Sequence, residues 1–257
     1  MDEPRPKIGT LADKIANRIV RYFPGPRVKI APSRPIVSFT FDDVPISAWT
    51  QGASIVETAG ARATFYIAGA LVGTTEPDRR LIPLEGCIDL ARRGHELACH
   101  TYAHGKLASY GRRALRADLD RNAGFLHQCD GGTRPRNFAV PYTMSWPPAQ
   151  AELRRRFRSS RSGERGINRG YVDPYNLACF GLGDGGPDLD AMASLLDDLS
   201  EKPGWLIFFT HDVADNPTRF GCRTENFARL VEMVAGRGCA ILTVDAALDA
   251  LGISPTP

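Results

Sequence analysis

The chain has 257 residues, which is enough for one large domain or two small ones. Hydrophobic residues make up 43% of the chain and charged residues 24%, a balance typical of folded soluble proteins and not of disordered ones. The formal net charge of +3 is too small to indicate binding to nucleic acid. No apolar stretch approaches the roughly 20 residues that a membrane-spanning helix needs. We therefore expect a globular protein with no nucleic-acid partner.

The chain begins MDEPRPK, which is acidic and interrupted by proline and so is unlike a secretory signal. We therefore expect a cytoplasmic location, with association with a membrane surface as the alternative. The cysteines include no Cys-x-x-Cys pair, and in a reducing compartment we expect free thiols without a functional role. They occupy positions 87, 99, 129, 179, 222 and 239.

The segment 8–23 is predicted to form a helix because its apolar residues recur at helical spacing, with basic residues between them. The apolar residues are Ile8, Leu11, Ile15 and Ile19, and the basic ones are Lys14, Arg18 and Arg21. Such a helix either packs on the main domain or lies on a membrane surface, where its basic residues suit anionic lipid. We assign residues 1–34 to an N-terminal helical arm and 35–257 to one main domain.

From residue 35 onward, short apolar runs alternate with longer amphipathic stretches. Strands are predicted at 35–41, 63–68, 96–100, 137–142, 177–182, 205–210 and 239–244. Helices are predicted at about 112–128 and from Thr224 onward, where Thr224 is a candidate N-cap. Several predicted strands are apolar throughout, which is typical of strands buried on both faces. This alternation predicts a parallel α/β sheet, either a barrel or a doubly wound layer.

Seven arginines crowd one segment of this domain, at positions 154, 155, 156, 158, 161, 165 and 169. The simplest interpretation is a solvated helix face followed by a loop. The alternative is a rim that binds the anionic group of a phosphate- or uronate-bearing substrate.

Polar residues that could carry chemistry follow three of the predicted strands. Asp42 and Asp43 end the first, His100 and His104 follow the third, and His211 follows the run WLIFFT. Ends of parallel strands are where active sites of such folds collect. Two histidines and one carboxylate are a common ligand set for a divalent metal, and they leave positions open for water and substrate.

These segments resemble the motifs of the polysaccharide deacetylases of the NodB-homology type, carbohydrate esterase family 4. TFDD at 40–43 is similar to the first motif, and RATFYIAG at 62–69 fits the second strand. HTYAH at 100–104 is similar to the second motif, and FFTHD at 208–212 to the last. The resemblance covers residues 35–250 and implies a distorted (β/α) barrel of about seven parallel strands behind the helical arm.

The resemblance also implies roles for the polar residues. Asp43, His100 and His104 would bind a divalent metal ion, zinc first, with cobalt, nickel or manganese as alternatives. Asp42 would be the general base that takes a proton from the attacking water. His211 would be the general acid that protonates the leaving amine. The main domain, residues 35–257, would then be the catalytic domain.

The third motif departs from the family's pattern. In FAVPYT at 138–143, Pro141 and Tyr142 match, and the Tyr142 backbone N–H would help form an oxyanion hole. The family's arginine that orients the catalytic aspartate is replaced by Ala139 here, and we expect Arg161 or another arginine of the segment 154–169 to substitute for it. We include Pro141, Tyr142, Arg161 and Asp173 among the substrate-binding residues.

Two further positions differ from the family. The fourth motif has no clear match, and Asp173 is the best candidate partner for His211, ahead of Asp212. The glycine that follows the family's aspartate pair is Val44, which we expect to narrow the mouth of the groove.

The function implied is removal of N-acetyl groups from amino sugars of an oligosaccharide, polysaccharide or lipid-linked glycan. The partner would be that acetylated sugar, and the sequence does not indicate an oligomeric state. One alternative is a deformylase or amidase that acts on another small amide. Another is a carbohydrate- or metal-binding protein with a degraded site.

Overall fold

A computed structural model describes residues 11–22, 25–132 and 134–253. The strands in chain order are β1 (Val28–Ile30), β2 (Ile36–Asp42), β3 (Thr64–Ile67), β4 (Glu96–Cys99), β5 (Asn137–Ala139), β6 (Ser159–Arg161), β7 (Gly170–Val172), β8 (Phe180–Gly181), β9 (Trp205–Thr210) and β10 (Ala240–Ile241). The helices are α1 (Leu11–Tyr22), α2 (Ala53–Thr58), α3 (Leu84–Arg92), α4 (Arg112–Cys129), α5 (Gln150–Arg156), α6 (Leu189–Glu201), α7 (Thr224–Gly236) and α8 (Val244–Ala250).

The main sheet is parallel throughout and curls into a barrel. Its strands follow the order β6-β5-β4-β3-β2-β9-β8. The short strand β10 pairs with Ile36 and Val37 of β2, whereas β3 pairs with the other end of β2 from Thr40 onward. A parallel bridge between Arg161 and Leu177 joins the edge strand β6 to the segment that leads into β8. This arrangement confirms the predicted distorted (β/α) barrel of about seven parallel strands.

Strand β2 explains how the barrel separates its apolar and polar layers. All seven of its residues are buried, because neighbouring strands and helices cover both faces. Side chains alternate along a strand. Phe39 and Phe41 therefore point to one face, where both rings pack edge-on against Phe227 of α7 at centroid distances of 5.5 and 5.6 Å. Ser38, Thr40 and Asp42 belong to the opposite face and form part of a polar interior.

Helix α4 shows why the amphipathic stretches become covering helices. Leu115, Leu119 and Leu126 are buried at spacings of four and seven residues, as the sequence pattern predicts. Asn122 is buried on the same face, where its side-chain amide donates to the Ile67 carbonyl and its oxygen accepts from the Gly69 amide. The helix therefore covers the barrel and also fixes the loop after β3.

The N-terminal segment forms α1, and residues 8–10 and 23 of the predicted helix lie outside the described residues. Ala16 and Val20 are buried against the main domain. The Asn17 side chain accepts from the Ser145 amide at 2.7 Å and donates to the Thr143 carbonyl at 3.3 Å. The helix therefore packs on the domain, as the first interpretation expects. Among the described residues, no helix is both long enough and apolar enough to cross a bilayer.

The prediction that the arginine-rich segment forms a solvated helix face followed by a loop is wrong. Its first arginines pair with acids, since Arg155 and Arg156 both bind Glu152 and Arg156 also binds Asp120. Arg158 is buried and bonded to Asp245 and Asp249 of α8. The stretch also contains β6, a strand that the sequence analysis missed because its residues are Ser, Ser and Arg.

All six cysteines are buried free thiols, as expected. A buried free cysteine packs as a small hydrophobic side chain, so these residues fit the core without forming disulfides.

His95, between α3 and β4, makes a contribution to stability that depends on pH. Its Nδ1 accepts the Ala63 amide at 3.0 Å, and its Nε2 lies 3.1 Å from Glu57. Burial lowers the pKa of His95 to about 4, from an ordinary value of 6.5. The unfolded chain therefore binds a proton at higher pH than the folded chain does, so this stability is complete above pH 6.5 and is lost as the pH falls toward 4.

We predict that His95→Gln removes this dependence. Between pH 6.5 and 4, the free energy of unfolding of the wild type should fall relative to the variant, by at most about 1.4 kcal/mol per pH unit. Urea denaturation at several pH values measures the difference, with exposed His127→Gln as the control. Parallel curves for the wild type and His95→Gln would show that His95 is not the group responsible.

Candidate active site

The predicted site residues meet at one end of the barrel. Asp42 is the last residue of β2, and His100 and His211 directly follow β4 and β9. Since all these strands are parallel, their carboxyl ends lie at the same rim of the barrel. Tyr142 reaches this rim from the turn after β5, where its ring lies 4.6 Å from that of His104.

The loops at this rim have an unusual backbone. Seven described non-glycine residues have positive φ, and six of them lie in these loops. They are Asp43, Val44, Thr101, His104, Tyr142 and Thr143. Positive φ is costly for residues with a side chain, most of all for β-branched ones. Strained backbone is therefore concentrated in the rim loops, where it lowers the stability of the fold.

The turn after β2 lets both aspartates serve one site. Asp43 and Val44 have φ values of 59° and 60°, and the Val44 amide donates to the Asp42 carbonyl at 2.6 Å. This turn directs the Asp43 side chain toward the barrel mouth. If the strand had continued, the alternation of side chains would have directed it to the opposite face. Val44 is fully buried in the hydrophobic core, so the expectation that it narrows the mouth is wrong. The family's glycine at this position is explained by the positive φ.

Asp43, His100 and His104 form a group that fits a divalent cation. One ligand atom from each lies within 4.8 Å of the others. Asp43 Oδ1 lies 3.0 Å from His104 Nε2 and 3.6 Å from His100 Nε2. This oxygen is buried and faces both imidazole nitrogens, which is the position expected of a ligand atom.

The second nitrogen of His100 supports the same interpretation. Its Nδ1 lies 2.8 Å from the Ala139 carbonyl oxygen, so Nδ1–H donates there and the Nε2 lone pair faces the cluster. Burial lowers the pKa of His100 to about 4, and the neutral ring is the form that binds a metal. Burial alone would raise the pKa of Asp43, but His104, His211 and His100 outweigh it and hold that pKa well below the ordinary value.

Asp42 is held by an arginine from the neighbouring part of the sheet. Arg161 Nη2 lies 2.5 Å from both carboxylate oxygens of Asp42, and Arg161 is 1% exposed. Arg161 on β6 is the register partner of Ala139 on β5, the position where the family has its arginine. Burial raises the pKa of Asp42, but Arg161 and the nearby histidines outweigh it, and the net shift is downward. The guanidinium is buried inside the barrel, where its Nη2 holds Asp42 and its Nε has no hydrogen-bond partner among the described residues, and it does not face the groove.

His211 reaches the same cluster from β9. Its Nε2 lies 3.6 Å from Asp43 Oδ2, and its ring lies 5.2 Å from that of Phe220. The structure does not bring Asp173 to it: the Asp173 carboxylate accepts from the amides of Gly25 and Tyr175. Asp212 is also engaged elsewhere, on Thr218. His211 Nδ1 is buried and has no hydrogen-bond partner among the described residues.

Pro141 and Tyr142 differ in their access to the groove. Pro141 is buried, whereas Tyr142 is 42% exposed beside the metal-ligand candidate His104. Phe220 is 48% exposed beside His211. The two aromatic rings therefore flank the mouth of the site, each next to a histidine.

Arg79 is a site residue that the sequence analysis missed. Its Nη2 lies 2.8 Å from Asp43 Oδ2 and its Nε lies 2.6 Å from Glu76. It leaves Asp43 Oδ1 as the oxygen that faces both histidines. No motif or spacing in the loop around Arg79 could have revealed it, because the loop pairs with itself through Thr75 and Arg80 and meets the site only in the folded barrel.

Asp118 of α4 was also missed, although the sequence holds a signal for it. Its carboxylate accepts from the amides of Tyr102 and Ala103, between the two histidines of the HTYAH motif. It also accepts from the Tyr110 hydroxyl at 3.1 Å. Asp118 precedes Asn122 by one helical turn, so a polar pair on the inner side of an amphipathic helix could have been noticed.

Comparison with known proteins gives a consistent result. Residues 29–154 match the sequence profile of a family described as polysaccharide deacetylase. A bifunctional xylanase/deacetylase from Pseudobutyrivibrio xylanivorans is 26% identical over 146 residues, which are 53% of this chain and 23% of that protein. The matched region is thus about a quarter of the length of that relative.

Solved structures show the same fold. A family 4 acetyl xylan esterase from Clostridium thermocellum, determined with a cobalt ion, has a TM-score of 0.59 and 18% identity, over 86% of this chain and 94% of that one. A family 4 carbohydrate esterase from Bacillus anthracis has a TM-score of 0.58 and 13% identity, over 96% of both chains. At such low identity these structures establish the fold alone.

The Arg161–Asp42 pair gives a prediction about stability. Arg161→Met leaves a buried carboxylate without its partner, and the free energy of unfolding should fall by about 3–5 kcal/mol at pH 7. Asp42→Asn in the same chain removes the unpaired charge, and the double variant should recover much of the loss. Chemical denaturation of the four proteins measures this cycle. Additive losses, without recovery in the double variant, would contradict a direct interaction between the two side chains.

Proposed function

Because this chain belongs to the polysaccharide deacetylase family, we propose that it is a metal-dependent hydrolase that removes N-acetyl groups from amino sugars. The substrate class is an oligosaccharide, a polysaccharide or a lipid-linked glycan. The observation that carries the proposal is the pairing of an Asp43–His100–His104 cluster with a separate carboxylate, Asp42, and a separate imidazole, His211, at one rim. A metal site, a base and an acid are the parts that hydrolysis of an unreactive amide requires.

The cluster Asp43, His100 and His104 would hold the cation. When bound, a divalent cation lowers the pKa of water and polarises the acetyl carbonyl. The cobalt ion in the Clostridium thermocellum relative supports a metal at such a site. Zinc is our first choice for this chain, with cobalt, nickel and manganese as alternatives.

The protein's own residues would move the protons. Asp42 is ionised because its pKa is lowered, and it accepts the proton of the attacking water. Arg161 holds both oxygens of Asp42 and thereby fixes the direction of its lone pairs. The Tyr142 backbone N–H donates to the oxygen on which negative charge develops. His211 donates a proton to the nitrogen of the leaving amine, and its partial exposure lets it reach the substrate.

The first experiment is an acetate-release screen on protein that has been stripped with a chelator and reloaded with zinc, cobalt, nickel or manganese. The substrates are N-acetylated chito-oligosaccharides, peptidoglycan fragments, a lipid-linked N-acetylated sugar and acetylated xylan, with an N-formylated sugar tested for formate. The proposal expects acetate from an N-acetylated sugar only after a cation is restored. Acetate release from acetylated xylan alone would show that the protein is an esterase and not an amide hydrolase. No acetate release from any substrate would contradict the proposal.

We predict that the metal depends on His100. His100→Ala should lose the bound cation, because it removes one of the three ligands and the Ala139 contact that aims it. Isothermal titration with zinc and elemental analysis after dialysis both measure this loss. His127→Ala, which changes a histidine outside the site, should bind as the wild type does. Equal binding by His100→Ala and wild type would contradict the assigned ligand set.

We predict that the two neighbouring aspartates have separable roles. Asp43→Asn should lose both metal and activity, whereas Asp42→Asn should keep the metal and lose about 10²- to 10⁴-fold in kcat, the usual scale for a general base. His211→Ala should also keep the metal and should lose the alkaline limb of the pH–rate profile, since a general acid must be protonated to act.

Metal content and kcat are measured on the same preparations of these three variants. If Asp42→Asn turns over at the wild-type rate, Asp42 is not the base. If Asp43→Asn binds metal as tightly as Asp42→Asn does, the ligand and base assignments are not separable in this way.

A further inference from the structure

Helix α1 presents an apolar face that nothing in the described part of the chain covers. Leu11, Ile15, Ile19 and Tyr22 are 75%, 50%, 41% and 64% exposed, respectively. Since a helix turns 100° per residue, these four side chains share an arc of about 80°. Isolated exposed apolar residues are ordinary on protein surfaces, but a continuous stripe of this kind indicates an interaction site.

The opposite side of α1 is fixed to the domain. Ala16 and Val20 are buried, and Asn17 bonds both to the Ser145 amide and to the Thr143 carbonyl. Arg21 adds an ion pair with Glu164 at 2.9 Å. The apolar stripe therefore cannot turn inward without breaking these contacts, and it stays presented to the outside.

A basic edge runs along one side of the stripe. Lys14 and Arg18 are exposed and lie one turn apart, at angles about 20–60° from Leu11. An apolar arc flanked by lysine and arginine is the pattern of helices that lie in the interface of an anionic membrane. Lysine and arginine near such a surface each contribute about 1 kcal/mol of attraction to anionic lipid.

We propose that this face of α1 docks the protein on an anionic lipid surface, with the helix axis parallel to the bilayer. A helix of 12 residues is about 18 Å long, too short to span the roughly 30 Å of a bilayer core. The stripe offers a few hundred Å², below the roughly 800 Å² per partner that a stable protein interface buries. Partial insertion into lipid needs no such area, because apolar chains surround each inserted side chain.

The docked helix would hold the mouth of the site near the membrane. Thr143 and Ser145, which contact α1, closely follow Tyr142 at the rim of the barrel. A site held near the membrane would suit a substrate at the membrane surface, namely an acetylated amino sugar carried by a lipid. This extension depends on the proposed function, whereas the docking itself does not.

Vesicle co-sedimentation with the full chain tests the docking. The probes are vesicles of phosphatidylcholine alone and of equal parts phosphatidylcholine and phosphatidylglycerol, at low and high salt. The wild type should bind the anionic vesicles at least about tenfold more tightly than the neutral ones, and salt should weaken this binding.

Two double variants separate the apolar and the basic contributions. Ile15→Ser/Ile19→Ser and Lys14→Glu/Arg18→Glu should each weaken binding to anionic vesicles at least about tenfold. The matched controls are Leu84→Ser, another exposed leucine, and Arg229→Glu, another exposed arginine, which should bind as the wild type does. Thermal unfolding and zinc binding should be unchanged in all variants, because the changed side chains are exposed and outside the site.

Equal binding of wild type and both double variants would overturn the proposal, as would equal binding to neutral and anionic vesicles. A dimer of the wild type that dissociates in Ile15→Ser/Ile19→Ser would assign the face to a second copy of the chain instead, and analytical ultracentrifugation detects it. Because vesicle binding is measured without any turnover, its failure is distinct from a failure of the acetate-release experiment.

Discussion

The site depends on one buried ion pair, Arg161 with Asp42, inside the polar layer of the barrel. A buried carboxylate and a buried guanidinium are costly to take out of water, and their attraction repays that cost only when the geometry is good and the remaining donors are satisfied. Here one guanidinium nitrogen lies 2.5 Å from both oxygens of Asp42, and the guanidinium also lies over the faces of Tyr66 and Phe209, whereas its Nε has no hydrogen-bond partner among the described residues. The pair keeps Asp42 charged and oriented at the end of β2.

A second constraint is the backbone after β2. Alternation would send the side chains of Asp42 and Asp43 to opposite faces, and only the positive φ at Asp43 and Val44 brings both to one rim. This strain is accepted at a β-branched residue, Val44, whose side chain is buried in the core. The same conformation recurs at Thr101, His104 and Tyr142, so the strands position the site and their strained ends aim its side chains.

The sequence predicted the parts of this structure that local pattern governs. Apolar runs predicted β2 and β9, helical spacing predicted α4, and the motifs predicted that the residues around Asp43, His100 and His211 would meet. Strand β6 was missed because its residues, Ser159 to Arg161, are polar and face a polar interior. Asp173 was proposed as the partner of His211 although no clear fourth motif supported it, and it caps the turn at Tyr175 instead. Arg79 could not be predicted, because its loop meets Asp43 only through tertiary folding.

The central claim is that Arg161 supplies from β6 the support for Asp42 that the family's arginine supplies from β5. The most direct measurement is kcat for acetate release, at saturating cation, for Arg161→Ala and for Ala139→Arg/Arg161→Ala. Ala139 and Arg161 are register partners on adjacent strands, so an arginine at 139 can approach the same carboxylate. The account predicts a loss of about 10²-fold in Arg161→Ala and recovery of at least about tenfold in the double variant, because Asp42, the proposed base, is misplaced and then supported again. A wild-type kcat in Arg161→Ala would contradict it.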